Sequence, residues 1–276
     1  MGKIIYQPKG KAQEYAKYAA NTHVGCSGAC SYCYNRTGIT AKVLGGDTPT
    51  LKKCLKDEDE AMQIFMREAD QNIEELRKHG LFFNFVSDPF LPETIGLNIF
   101  AMRYCIINGI PVKALTKQTW WAEDFLMEME QNETAWNLDY HKVQELIAFG
   151  FTLTGHDELE PGCATNEDRI RAMKVLNAEG FKTWASIEPI IDLDASWRMI
   201  EEVREYCDLM KIGLRSGAKY DKEHLRFFMQ RIIALADTYQ FKYYFKDSIL
   251  KATGQTRYPL GIFEVDTSYS MFDDRN

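Results

Sequence analysis

The sequence predicts a mainly parallel α/β fold: a complete or partial barrel, or a doubly wound sheet. Two observations point there. Short apolar runs alternate with amphipathic helical stretches through about six or seven strand–helix units. Among the 276 residues, 45% are hydrophobic and 26% charged, a composition suited to a packed core. No stretch rich in Gly, Pro or Ser divides the chain, which therefore reads as one domain over residues 1–276.

The elements follow in order. A weak strand precedes Cys26. "DEDEAMQIFMREADQNIEELRKHG" opens acidic at Asp57–Glu60 and closes on Arg77, Lys78, His79 and Gly80, as the helix dipole and a C-terminal glycine favour. Its stripe Ile64, Phe65, Ala69, Ile73, Leu76 predicts one continuous buried face. "LFFNFV" reads as a buried strand. A helix over 94–108 leads to the strand "PVKALT", and helices over 120–133 and 139–149 lead to "GFTLT". Asn166 is the expected N-cap of "EDRIRAMKVLNAEG", before the strand "FKTWASI". "DASWRMIEEVREYC" then precedes "DLMKIG", and "DKEHLRFFMQRIIALADTY" precedes "FKYYF". The active face of such a fold lies at the strand C-termini, where the cysteine cluster, "SDPF", "TK" and "EP" all fall.

The net charge of −7 argues against a protein holding nucleic acid mainly by counterion release, but leaves room for a local basic groove. No apolar run reaches the roughly 20 residues of a membrane span, and the N-terminus lacks a signal peptide's apolar centre. A cytoplasmic, reducing location is therefore expected. The cysteine count, seven, is odd, and Cys54, Cys105, Cys163 and Cys207 are scattered, which reads as reduced thiols. These four read by default as small buried apolar residues, and Cys163, in a loop after the fourth strand, is the one of them with a functional reading beside it. The closing stretch "KYYFKDSILKATGQTRYPLG" could stack bases, but reads first as a last strand with a capping segment.

"HVGCSGACSYCYN" places Cys26, Cys30 and Cys33 within eight positions, with Gly25 and Gly28 between or beside them. Three thiolates so spaced can curl onto one face as soft ligands for zinc, copper(I) or an iron–sulfur cluster. A 4Fe-4S cluster normally takes four cysteines, so three leave one iron open to a small molecule. A zinc site would need a fourth donor, for which His23 is the candidate.

Cys-x3-Cys-x-aromatic-Cys after the first strand resembles the radical S-adenosylmethionine (radical SAM) enzymes. With "FVSDPFLPE", "PVKALTK", "LEPGCATNEDRIRAMKVLNAEGFKTWASIEPII" and "YYFKDSIL", the likeness runs in order through residues 20–250. It extends to the subgroup of spore photoproduct lyase and DNA repair photolyase-like proteins. The resemblance implies a partial (β/α)6-type barrel with short terminal extensions, its core about 18–250 and a C-terminal cap about 251–276. It implies a 4Fe-4S cluster on Cys26, Cys30 and Cys33, with S-adenosylmethionine (SAM) on the open iron. Reductive cleavage would then yield a 5′-deoxyadenosyl radical that abstracts hydrogen from a substrate.

The same resemblance places Tyr32 beside adenine, and Ser87 with Asp88 near the methionyl end. It places Lys117 at the cofactor carboxylate, Thr152 near the ribose, and Glu188 at ribose hydroxyls or the amino group. Read without it, Ser87 and Asp88 before Pro89 form a turn, Lys117 is a strand-end cation, Thr152 packs in a strand and Glu188 is an exposed acid. Tyr34 reads as a pocket wall, and His156 as a loop residue or a substrate contact. One departure matters: the lyase carries a hydrogen-donating cysteine where this chain has Phe85, which argues against thymine-dimer reversal. The expected partners are a flavodoxin- or ferredoxin-like electron donor and an unidentified substrate, with a nucleic acid or modified base as candidate, and no membrane. A zinc-stabilised binding module and a non-catalytic iron–sulfur protein are the alternatives.

Overall fold

The computed structural model describes residues 3–131, 138–257 and 259–273. The chain forms two compact units: Met1–Phe149 with Glu158–Ala164, and Gly150–Asp157 with Thr165–Asn276. Both are mixed α/β: the first combines antiparallel and parallel strand pairs, and the strands of the second are parallel.

In the first unit β1 (Ile5–Tyr6) pairs antiparallel with β2 (Ala19–Ala20), a separate ribbon joins β3 (His23–Val24) to β4 (Thr50–Leu51), and β5 (Leu81–Phe83) runs parallel to β2. The weak strand expected before Cys26 is thus two short pieces, β2 and β3, in different sheets. Between them Lys52 Nζ donates to Asn21 O at 3.1 Å. The buried Glu68 carboxylate anchors the N-terminus, accepting from the amides of Lys3 (2.6 Å), Ile4 (3.0 Å) and Ile5 (2.8 Å).

The single helix expected over 57–79 is two. After α1 (Gly38–Val43), α2 (Glu58–Gln71) is capped by Asp57, whose side chain accepts from Glu60 N at 2.8 Å. It ends at Asn72, whose side-chain amide bonds Glu68 O at 2.7 Å, a local bond that competes with the helical ladder. The apolar stripe resumes in α3 (Ile73–His79), which stops at Gly80 with φ +70°. A Cβ at Gly80 would sit 2.9 Å from Pro111 O, so the close approach to the next strand needs glycine.

β5 is shorter than "LFFNFV" suggested, because from Asn84 onward the chain leaves the ladder and Phe85 N donates to Asn21 Oδ1 at 2.9 Å. α4 (Ile95–Ile107) leads to β6 (Val112–Thr116), parallel to β5, and α5 (Trp121–Gln131) and α6 (Tyr140–Leu146) follow. Positions 132–133 of the helix expected over 120–133 lie outside the described residues. The helix expected over 139–149 ends at Leu146; β7 (Ile147–Thr152) is a strand buried at every position. Periodicity could not separate that apolar run from a helix tail.

In the second unit β8 (Lys182–Ile190), β9 (Leu209–Leu214) and β10 (Lys242–Phe245) are parallel. The helices α7 (Asn166–Ala178), α8 (Leu193–Val203) and α9 (Lys222–Tyr239) are capped by Thr165, Asp192 and Asp221. The α7 cap is Thr165, not Asn166 as expected. Asn166 instead accepts from Thr154 N at 3.0 Å, while its own amide donates to Asp157 at 2.7 Å. α10 (Asp247–Thr253) follows β10. The tail then runs along β10, with Val265 N donating to Tyr243 O at 2.9 Å, so that edge is covered. Among the described residues no helix is long and apolar enough to cross a membrane.

Candidate functional site

The cysteine loop lies in the first unit, stitched to its neighbours by backbone hydrogen bonds. Gly25 N donates to Leu44 O and Cys26 N to Gly46 O, both at 2.9 Å. Gly25 has φ +81°, and a Cβ there would lie 2.5 Å from Thr48 O. A strap, residues 158–164, crosses the loop. Ser31 N donates to Leu159 O (2.9 Å) and Gly162 N to Gly28 O (3.1 Å). Ala164 N donates to Lys117 O at 3.0 Å, and Gln118 Nε2 to Gly162 O at 3.0 Å. The strap is therefore pinned both to the loop and to the residues just after β6.

Three sulfurs gather at the crossing. A Cβ on Gly28 would lie 3.0 Å from Cys163 Sγ, 3.4 Å from Cys26 Sγ and 3.9 Å from Cys30 Sγ. Cys30 Sγ and Cys163 Sγ are 3.8 Å apart, and both approach Gly28 O, at 3.8 and 3.5 Å. Cys33 follows on the same loop, its amide donating to Cys30 O at 3.2 Å; its sulfur makes none of these contacts. The Cys30 thiol is pulled below its ordinary value, first by its hydrogen bond with Cys163, against burial and with help from Lys117. Burial and Asp88 push Cys26 the other way. Among the described residues, no three His, Cys, Asp or Glu donors converge to hold a single metal ion.

A polar shell stands beside the sulfurs. Lys117 is half-buried, with Nζ 5.8 Å from the centroid of the Tyr32 ring, at the limit of a cation–π contact. Its ammonium makes no hydrogen bond to a protein group among the described residues. Burial depresses its pKa, yet Tyr32, Cys30, Glu160 and Cys163 outweigh that and raise it well above the ordinary lysine value, so the charge persists. The Tyr32 hydroxyl donates to the buried Glu160 carboxylate. Asp88 Oδ1 accepts from Thr116 Oγ1 (2.7 Å) and Phe90 N (3.0 Å), and Oδ2 from Lys117 N (2.8 Å), so it locks the β6 end against the turn after β5. Burial raises its pKa, opposed by these bonds. Ser87 Oγ and both side-chain polar atoms of Asn84 are buried without a hydrogen-bond partner among the described residues. Their hydrogen-bonding capacity is open to a solvent or ligand partner.

With that geometry in place, comparison with known proteins bears on the fold. The fold is similar to that of SuiB. For SuiB of Streptococcus suis the TM-score is 0.52 at 12% identity, over 83% of this chain and 49% of SuiB. SuiB bound to S-adenosylmethionine, and SuiB bound to its precursor peptide SuiA, each give a TM-score of 0.51 at 12% identity. At this identity the likeness speaks to fold alone. By sequence the chain is 28% identical over 187 residues to the uncharacterized protein MJ0683 of Methanocaldococcus jannaschii, covering 64% of this chain and 61% of that protein. The chain thus matches less than two thirds of that relative's length and about half of SuiB. No family model matches the sequence.

Of the residues singled out from sequence, Cys26, Cys30, Tyr32, Cys33, Ser87, Asp88 and Lys117 all belong to the first unit and cluster on the loop or just past β5 and β6. Thr152 and Glu188 belong to the second unit. There Thr152 is buried at the end of β7, its carbonyl accepting from Arg169 Nη1 at 2.8 Å. Glu188 meets the buried Lys246 ammonium at 2.5 Å. A Cβ on Gly213 would lie 2.9 Å from Glu188 Oε1, so this ion pair needs glycine opposite it. His156 is paired with Asp192 in the same unit. Tyr34 donates to Phe85 O, and the Phe85 ring stacks on Phe82 at 4.2 Å. Sequence reasoning missed Glu160 as a site group and gave Cys163 little weight. The available signal was "EPGC", a Pro-Gly turn that sets both side chains on one short bend.

Proposed function

We propose that this chain is a radical SAM enzyme. In this reading Cys26, Cys30 and Cys33 hold a 4Fe-4S cluster, and SAM occupies the open iron. The observation that carries it is the Lys117 ammonium, half-buried and without a hydrogen-bond partner among the described residues, close to the cysteine loop. A charge in that position calls for an anion, and the carboxylate of SAM is one. Side-chain-free Gly28 among the sulfurs and the orphaned Ser87 and Asn84 fit a bulky polar occupant. In a cubane each cysteine binds a different iron, so its thiols surround the cluster without meeting at one point, whereas zinc donors must converge on a single ion.

Bound there, the cluster and SAM would supply a 5′-deoxyadenosyl radical for hydrogen abstraction. The chain's own part is to bind and orient. Lys117 would neutralise the carboxylate, Tyr32 would line the site with its hydroxyl fixed by Glu160, and Ser87 would donate from the turn after β5. Asp88 holds that turn and the β6 end in register. For Thr152 and Glu188 as cofactor contacts, and for the (β/α)6 count and a single catalytic domain, support comes from the sequence resemblance. The shared fold with a protein crystallised with SAM supports the cofactor. A one-electron donor of the flavodoxin or ferredoxin class is required, and a nucleic acid or modified base is the proposed substrate class. The Phe85 ring, packed where the lyase has a cysteine, supports a reaction other than dimer reversal.

Anaerobic reconstitution tests this reading. A brown protein containing iron and sulfide should release 5′-deoxyadenosine from SAM on reduction, and Cys30→Ala should not. A colourless protein with one zinc, or equal release from both forms, would overturn it.

A further inference from the structure

We propose that Cys163 and Cys30 form a reversible disulfide in the cluster-free chain, a redox latch on cluster assembly. The inference rests on the cluster reading above for its consequence, but not for its chemistry. Its basis is geometric. Residues 133 apart in sequence have their sulfurs 3.8 Å apart, both turned toward Gly28 O. The strap that carries Cys163 is tied to the cysteine loop ahead of that residue, by Ser31–Leu159 and Gly162–Gly28, and just after it Ala164 is tied to Lys117. The two thiols are therefore held as neighbours by backbone and do not meet by chance rotation. A disulfide needs the sulfurs at about 2.05 Å, a closure that side-chain rotation with a slight strap movement can supply.

Accessibility orders the steps. Cys163 is partly exposed, while Cys30 is 8% exposed and buried. A small disulfide such as oxidised glutathione therefore meets Cys163 first. The Cys163 sulfur attacks it, forming a mixed disulfide and releasing one glutathione thiol. The Cys30 sulfur then attacks the Cys163 sulfur and displaces the second glutathione thiol. Two protein thiols are oxidised, one glutathione disulfide is reduced, and the two protons pass to the released thiols. Cys30 is one of the three cluster thiols, so the latched chain cannot accept a cluster until a reductant opens it. Gly28 is part of the device, because a Cβ there would crowd the Cys163 sulfur at 3.0 Å, beside the pair.

The test uses the full chain without metal, held anaerobically with oxidised glutathione, alkylated, digested without reductant and mapped by mass spectrometry. The expected product joins the Cys30 and Cys163 peptides, lighter by two hydrogens, and dithiothreitol reverses it. Iron uptake should be lost in the oxidised chain, return on reduction, and become insensitive to the treatment in Cys163→Ser. A bond within Cys26, Cys30 and Cys33, a bond from Cys163 to any other cysteine, or Cys163 remaining as a glutathione adduct would each overturn the proposal. Should Cys163→Ser fail to fold, the wild-type map decides alone. Failure of the reduced wild type to take up iron and sulfide would sink the cluster reading, while the map would still judge the latch.

Discussion

Replacing Gly162 by alanine should unfasten the strap without touching a thiol. The added Cβ would lie 2.1 Å from Ser27 O and 3.0 Å from the Gly28 backbone. Both obstacles are main chain, so no side chain can rotate away, and the strap must retreat by about 1 Å. Gly162 N now sits 3.1 Å from Gly28 O, and that retreat takes it beyond hydrogen-bond reach. The adjacent Ser31–Leu159 bond, at 2.9 Å, shares the same crossing and should go with it. Two backbone bonds at about 1 kcal/mol each make about 2 kcal/mol of local stability. Native-state hydrogen exchange reads this directly. The Ser31 amide should exchange about 30-fold faster, while amides of the buried strand β5 stay unchanged. Alkylation of Cys163 should also quicken as the strap lifts. Ser31 exchange within about twofold of wild type would refute the reasoning, because the clash would then have been absorbed elsewhere.

Other substitutions probe separate links. In β7, Gly150→Ala would put a Cβ 2.1 Å from Cε2 of the buried Trp184 indole, and should cost about 1–3 kcal/mol in urea unfolding. Thr165→Ala removes the acceptor of Asp168 N (3.1 Å) at the start of α7, and should cost about 1 kcal/mol by the same assay. Burial pushes the Asp192 carboxyl up, but Ala195 N and His156 outweigh this and hold it below the usual carboxylate range. Its contribution is present above the unfolded pKa of about 3.9 and lost as pH falls through the lower folded value; Asp192→Asn should flatten acid unfolding in that window. Lys117→Met should weaken SAM binding to the reconstituted protein by about 10- to 100-fold in calorimetry, with the far-ultraviolet circular dichroism retained.

What was readable in the sequence is local. The alternation of strands and helices was legible, as were the acid-to-base gradient from Asp57 to His79 and the cysteine spacing, because each is a pattern within a few turns of chain. Errors fell where local signals compete. Asn72 splits a helix by bonding its own backbone, and Ile147–Phe149 is apolar in a way that suits helix or strand.

The sequence by itself determined the chemistry available: three soft thiols on one glycine-hinged loop, and polar groups just past the β5 and β6 strands. Only the tertiary structure decided which distant groups meet. It set Cys163 against Cys30, tied Glu160 to Tyr32, and brought the Lys117 ammonium to the face of the Tyr32 ring. The physical reason is range. Periodicity and capping act over a few residues, whereas a strap 133 positions downstream is placed by backbone hydrogen bonds that no local pattern encodes.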